Sequence, residues 1–267
     1  MAMKVLLISG GSSGIGRATA QLFARQGYKV YEMSRRDAMP SDLETDCPVV
    51  HWQGDVTSAL DCRRVVEAVL SQEGHIDVLI CNAGMGIAGA AEFATSEDMH
   101  RQMEVNFFGT VHLVQAVLPS MRSRRNGTII LVGSMAGVFA IPYQSFYSAS
   151  KAAIGSFASS LRNEVKGFGV RVSCLLPGDV KTGFTAVRKK NLQGEDLYTH
   201  MSDSLRKMER DEENGIPAEK MAHKLLSIAQ SRRPALFHTV GWKYRLFLVA
   251  QKLVPATFIN YVLGKMY

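Results

Sequence analysis

The chain has 267 residues, 46% of them hydrophobic and 21% charged, with 31 Lys and Arg against 24 Asp and Glu and a formal net charge of +7. That length suits one large α/β unit, and the composition excludes a disordered or collagen-like chain. The basic balance admits an anionic small ligand or a membrane surface, but no Lys/Arg run is interleaved with aromatics as a nucleic-acid stripe is. The basic runs at 122–125, 188–190 and 232–233 read as solvated helix ends or loops. Cys47, Cys62, Cys81 and Cys174 have neither paired nor metal-like spacing. They read as reduced core residues of a cytoplasmic protein that holds no metal. No uncharged run reaches the length of a membrane span, and no signal-peptide pattern precedes the first strand.

Residues 4–9 are an apolar, strand-forming run bounded by glycine, which predicts a buried parallel strand. Ser9-Gly10-Gly11-Ser12-Ser13-Gly14-Ile15-Gly16 follows, then a helical segment with Ala18, Leu22 and Phe23 on one side. Strand, glycine turn and helix together make a phosphate cradle at a helix N-terminus. Gly10 serves the turn, Gly14 the approach of a ligand, and Gly16 the close packing of helix on sheet. The spacing is G-x-x-x-G-x-G rather than G-x-G-x-x-G. A second strand, 29–34, ends in Ser34-Arg35-Arg36. An acid at that point would hold the two ribose hydroxyls of NAD. A hydroxyl and guanidinium suit a 2′-phosphate instead, so NADP(H) is the expected cofactor.

Strands at 49–54 and 77–81 alternate with a helix at 61–70; the first runs out into Asp55-Val56-Thr57 and the second into Asn82-Ala83-Gly84. The alternation predicts a single-domain, Rossmann-like, doubly wound parallel sheet of about seven strands, with ligands past the carboxyl ends of the strands. A long helix is expected over 104–122. Asn106 near its start is either a satisfied buried amide or a polar site residue. A fifth strand at 128–132 ends in Gly133-Ser134, which sets a hydroxyl where a substrate oxygen can sit. An apolar loop, 135–143, leads to a helix carrying Tyr147 and Lys151. Four residues apart, they share one helix face. An ammonium there favours phenolate, and bringing the phenol from about 10 to about 7 takes roughly 4 kcal/mol. A sixth strand at 170–176 closes with Pro177-Gly178.

The glycine turn, Asn82-Ala83-Gly84, Asn106, Ser134, Tyr147-x-x-x-Lys151 and Pro177-Gly178 together resemble the short-chain dehydrogenase/reductase family, from residue 4 to about residue 184. Ser9 stands where Thr is commoner. Cys81 through Gly86 and Pro177 through Thr182 are similar to the hydroxysteroid and retinol dehydrogenase branch. The resemblance implies a catalytic tetrad of Asn106, Ser134, Tyr147 and Lys151. In it Tyr147 is the general acid or base, and Lys151 lowers its pKa and holds the nicotinamide ribose. Ser134 orients the substrate oxygen, and Asn106 steadies a water that links Lys151 to solvent. It also implies that Gly10, Ser12, Ser13, Gly14, Ile15 and Gly16 cradle the cofactor, with Ser34, Arg35 and Arg36 at its adenosine end. Asp55 and Val56 flank the adenine, Asn82, Ala83 and Gly84 line the cleft, and Pro177, Gly178, Val180 and Thr182 lie at the carboxamide.

Residues 185–214 are polar and irregular, with a helical stretch at 203–210, and form the expected substrate lid over the 1–184 core. Residues 215–267 complete the substrate side. They contain a helix at 218–230, a last strand from Leu236, and a tail rich in aromatic and aliphatic residues from Trp242 onward. The tail reads as a core-packing helix pair, a pocket wall or a membrane-surface helix; Pro255 and scattered cations favour the first two. With Met135, Val138, Phe139, Ile141 and Tyr143 beside the site, the expected substrate is lipophilic: a steroid, retinoid or acyl ketone. A small polar ketone or sugar, and a non-catalytic NADP-sensing role, are the alternatives. The apolar helices at 104–122 and 147–166 are expected to pair in a homodimer or homotetramer.

Overall fold

The computed structural model describes residues 3–37 and 49–267, so Cys47 lies outside the described residues. Its strands are β1 (Val5–Ser9), β2 (Lys29–Ser34), β3 (Val49–Gln53), β4 (Val78–Cys81), β5 (Ile87–Gly89), β6 (Gly127–Val132), β7 (Val170–Leu175), β8 (Val180–Lys181), β9 (Lys189–Asn191), β10 (Ile216–Pro217) and β11 (Phe237–His238). Seven of them form the central sheet in the order β11-β7-β6-β4-β1-β2-β3, and every pairing is parallel. All five residues of β1 and all six of β6 are buried, as unbroken apolar strands covered on both faces must be.

Successive side chains point to opposite faces, and this divides the core in two. Leu6, Ile8, Val30, Ile80 and Ile130 pack under helices α1 (Gly14–Arg25) and α8 (Ala218–Gln230). Leu7, Tyr31, Leu79, Ile129 and Leu131 pack under α2 (Ala59–Glu73), α4 (Gly109–Arg124) and α5 (Ser145–Val165). Strand order reverses between β1 and β4, so the chain exits diverge there and open a crevice at the carboxyl edge. Cys62, Cys81 and Cys174 are buried free thiols, as expected.

Three local expectations are corrected. The helix expected over 104–122 is a continuation of α3 (Ser96–Met103) through one π-helical turn, Glu104–Phe108, into α4. Residues 185–214, expected to form the substrate lid, are less irregular than their polarity suggests. They hold a short helix α6 (Phe184–Val187), the strand β9 paired in parallel with β5, and a long helix α7 (Met201–Glu213). The tail forms α9 (Trp242–Ala250) and α10 (Ala256–Met266), and neither helix has a buried residue. Tyr244 and Leu248 touch the core edge and Tyr267 the lid, while most of the remaining apolar surface faces outward. No helix among the described residues is long and apolar enough to cross a membrane.

Candidate active site

The glycine turn has the backbone its sequence requires. Gly10 and Gly14 sit at φ 66° and 52°, which side-chain-bearing residues rarely adopt. A Cβ at position 16 would lie 2.1 Å from the Gly10 carbonyl oxygen, so the start of α1 closes directly over the turn. Ser13 precedes α1 without a capping side-chain bond, leaving the helix's first N–H groups to a ligand. Ser9 Oγ accepts from the backbone N–H groups of Asn82 and Ala83, each at 3.1 Å. Asn82 Nδ2 donates to the carbonyls of Ser9 and Gly10 at 3.2 and 3.1 Å. A hydroxyl is all this joint needs, which explains why serine serves where threonine is commoner. Thr182 reaches across to the same turn, its Cβ 3.4 Å from where a Cβ on Gly14 would be.

At the other end of the cleft, Ser34 Oγ is buried without a hydrogen-bond partner. Arg35, Asp55, Thr57, His100, Arg101 and Val105 are among the residues that line a space of about 520 Å³ beside it. Asp55 accepts from the Thr57 amide and hydroxyl, both at 2.9 Å, and Val56 is buried against Gly109. An orphaned hydroxyl, a neighbouring exposed arginine and an open helix N-terminus fit a dinucleotide that carries an extra phosphate.

The tetrad residues converge on the crevice. The π turn holds Asn106 buried, and wide turns of this kind recur at functional sites. Its amide is satisfied within the protein: Oδ1 accepts from Met85 N at 2.8 Å, and Nδ2 donates to Met85 O and to Ser150 Oγ, both at 3.0 Å. Ser150 Oγ donates in turn to the Tyr147 carbonyl at 2.7 Å. Asn106 therefore clamps the exit of β4 to the helix that bears the tyrosine. The reading of a satisfied buried amide is the one observed, and one lone pair of Oδ1 has no donor among the described residues. A Cβ on Gly84 would lie 3.3 Å from that oxygen and 3.4 Å from Lys151 Nζ, so the two groups face a common point.

Lys151 is 5% exposed and donates to the Val132 carbonyl at 3.0 Å. Burial pulls its ammonium down to about 8. Its Nζ lies 5.9 Å from the centre of the Tyr147 ring. Tyr147 corrects a sequence expectation. Burial raises its phenol above the usual 10, against a lowering influence from the hydrogen bond with Ser134 and, more weakly, from the Arg188 cation. The phenol is thus held protonated at neutral pH, the form a proton donor needs. Ser134 itself accepts from Ala136 N at 3.0 Å, which fixes the loop after β6.

Sequence reasoning missed several neighbours. Arg188, assigned to a solvated basic run, has a side chain only 2% exposed and ion-paired with Glu212. Thr185 Oγ1 donates to the same carboxylate at 2.5 Å. The Phe184 ring stands between, 6.0 Å from the Tyr147 ring and 5.4 Å from the Arg188 guanidinium. Gln102 lies one helical turn before Asn106 and bonds Ile87 N and Met85 O at 2.9 and 2.7 Å. The i, i+4 spacing of two amides is the one signal in the sequence from which it could have been found. Gly178 also serves a purpose the motif did not suggest: a Cβ there would lie 2.1 Å from the Tyr244 ring of the tail. Tyr244 OH bonds Asp179 Oδ2 at 2.6 Å and accepts from Asp179 N at 2.9 Å.

This glycine turn, switch-point crevice and Asn–Ser–Tyr–Lys cluster define an oxidoreductase of the short-chain dehydrogenase family, to which the chain belongs. The family model "short chain dehydrogenase" matches residues 4–193. Over its full length the chain is 40% identical to a 3-ketodihydrosphingosine reductase of Bacteroides thetaiotaomicron, covering 99% of that protein. It is 33% identical to an 11-beta-hydroxysteroid dehydrogenase of Pinus massoniana over 73% of this chain and 56% of the other. Among solved structures, a short-chain dehydrogenase of Streptomyces avermitilis superposes with a TM-score of 0.82 at 28% identity, over 94% of this chain and 92% of that one. An alcohol dehydrogenase of Thermococcus sibiricus complexed with 5-hydroxy-NADP gives 0.72 at 25% identity, over 90% and 96%.

Proposed function

We propose that this chain is an NADP(H)-dependent reductase of a lipophilic ketone, specifically a long-chain acyl ketone of the 3-ketodihydrosphingosine type. The observation that carries the reaction is a half-buried Tyr147 at the carboxyl edge of the sheet, its ring centre 5.9 Å from Lys151 Nζ, with burial keeping the phenol protonated. The full-length relative supports the substrate class. The apolar cluster under the lid, which takes in Ile141 and Tyr143, supports a hydrocarbon chain. Ser34 and Arg35 support NADP(H) over NAD(H), because the unpartnered hydroxyl and the guanidinium complement a 2′-phosphate.

The reduced nicotinamide supplies the hydride when bound. Ser134 donates to the substrate carbonyl oxygen and fixes its position. Tyr147 delivers its hydroxyl proton to that oxygen as negative charge builds there. The phenolate left behind is stabilised by Arg188 and by the Lys151 ammonium. Lys151 also holds the ribose side of the cleft. Asn106 keeps the Tyr147 helix in register, and its open lone pair beside Lys151 gives a path for a proton from solvent. The same reading keeps a homodimer or homotetramer built on α4 and α5, beside which Phe108 is 41% exposed.

The test is NADPH oxidation by purified protein across 3-ketodihydrosphingosine, a steroid ketone, a retinoid and a small polyol. Turnover confined to the long-chain ketone is the expected result. Turnover confined to the polyol overturns the substrate assignment, and full activity in Tyr147→Phe overturns the mechanism, since loss of the acid is worth roughly 100- to 10,000-fold.

A further inference from the structure

The last 26 residues stand apart from the rest of the surface. Trp242, Leu253, Phe258 and Tyr261 are 72%, 79%, 59% and 64% exposed, and neither tail helix buries a residue. From Trp242 to Tyr267 there is no Asp or Glu, while Lys243, Arg245, Lys252 and Lys265 are all present. An exposed apolar patch of this size needs a cover. We propose that α9 and α10 lie in the surface of an anionic lipid bilayer and bring the mouth of the active site to it.

The single-sign charge picks this occupant over another protein. Cations without compensating acids complement lipid phosphates, whereas a second copy would set cation against cation across a two-fold axis. Nine- and eleven-residue helices separated by Pro255 are too short to span a bilayer but long enough to lie in its interface. The tail is also anchored at two points, beside the Pro177-Gly178 exit and against residues 198–211. Tyr244 covers Gly178 and bonds Asp179, and Phe247 stands 6.1 Å from Phe139 on the loop after Ser134. At the far end Tyr267 packs in the lid cluster and bonds Asp211 of α7 at 3.5 Å. Val187 and Leu197 of the lid, 78% and 68% exposed, are further apolar residues of this end of the molecule. A lipophilic ketone dissolved in the bilayer then enters without crossing water. That consequence rests on the proposed function; the docking does not.

The experiment is vesicle flotation of the full-length protein. Vesicles of phosphatidylcholine alone are compared with vesicles containing about one-third phosphatidylglycerol, at low and high salt. Two variants, Lys243→Glu/Arg245→Glu/Lys252→Glu and Trp242→Ser/Leu253→Ser, change only exposed side chains, and circular dichroism and turnover of a short soluble ketone check that they are intact. The expected result is binding to the anionic vesicles, weakened by salt, and lost roughly 100-fold in the charge-reversed variant at about fivefold per cation. The apolar variant binds weakly to both. Equal binding by wild type and both variants overturns the proposal. So does no vesicle binding by the wild type at low salt; if Trp242→Ser/Leu253→Ser then lowers the mass in solution, the patch is a protein interface instead. Flotation needs no substrate, so a protein that floats but reduces no ketone refutes the function and leaves the docking standing.

Discussion

Replacing Lys151 by methionine separates a buried charge from everything else that depends on pH. The side chain is 5% exposed, and burial lowers its pKa from 10.5 to about 8. Between those two values the unfolded chain binds a proton that the folded protein releases, so stability rises with pH through this window. The destabilisation is complete below about 8 and gone above 10.5. At pH 7 it amounts to about 3 kcal/mol, and at pH 9 to about 2 kcal/mol. Lys151→Met abolishes this dependence. It also strands the Val132 carbonyl, at a cost of roughly 1–3 kcal/mol that does not vary with pH. The absolute difference between the two proteins is therefore uninformative, but its change with pH is not. Urea denaturation of both at pH 7, 8 and 9 is expected to show wild type gaining about 1 kcal/mol on the variant across that range. A constant difference, or one of opposite sign, refutes a buried ammonium titrating near 8.

Arg35→Asp is expected to move cofactor preference toward NADH by tenfold or more in the kcat/KM ratio, because a carboxylate repels a 2′-phosphate; an unaltered ratio removes the argument from the β2 exit. Arg188→Met takes away a cation that lowers the Tyr147 pKa, so the pH above which alcohol oxidation accelerates is expected to shift upward; a pH–rate profile checks it. Gly178→Ala forces a methyl group into the Tyr244 ring, and a loss of about 1–3 kcal/mol in thermal or urea unfolding is expected. Static light scattering tests the pairing of α4 and α5: a monomer at assay concentration refutes it.

The parts of this molecule that depend on backbone shape and short spacing could be read from the chain. Gly10 and Gly14 announce a turn because few other residues adopt its dihedrals, and Tyr147 with Lys151 announces a helix face. Strand exits at Ser34, Asn82, Ser134 and Pro177 fell together because alternating strands and helices dictate a parallel sheet. What escaped was long-range. Arg188 looked like surface charge because its partner Glu212 lies 24 residues on, in a segment with weak periodicity. Gly178 answers to Tyr244, 66 residues later. The π turn at Asn106 depends on what its amide grips, not on the helix formers around it. The direction of the Tyr147 shift could not be read either, because desolvation depends on the lid that closes over the ring.

The short ribbon between β5 and β9 ties the chain just after β4 to residues 185–214. Its inner strand begins just past Met85, which Asn106 and Gln102 grip, and its outer strand belongs to the lid. Separating the two strands would break those three pairings and load the peptide that Asn106 and Gln102 hold. On the proposed function, the girth of a substrate would then be read at the peptide that Asn106 ties, through Ser150, to the helix of Tyr147.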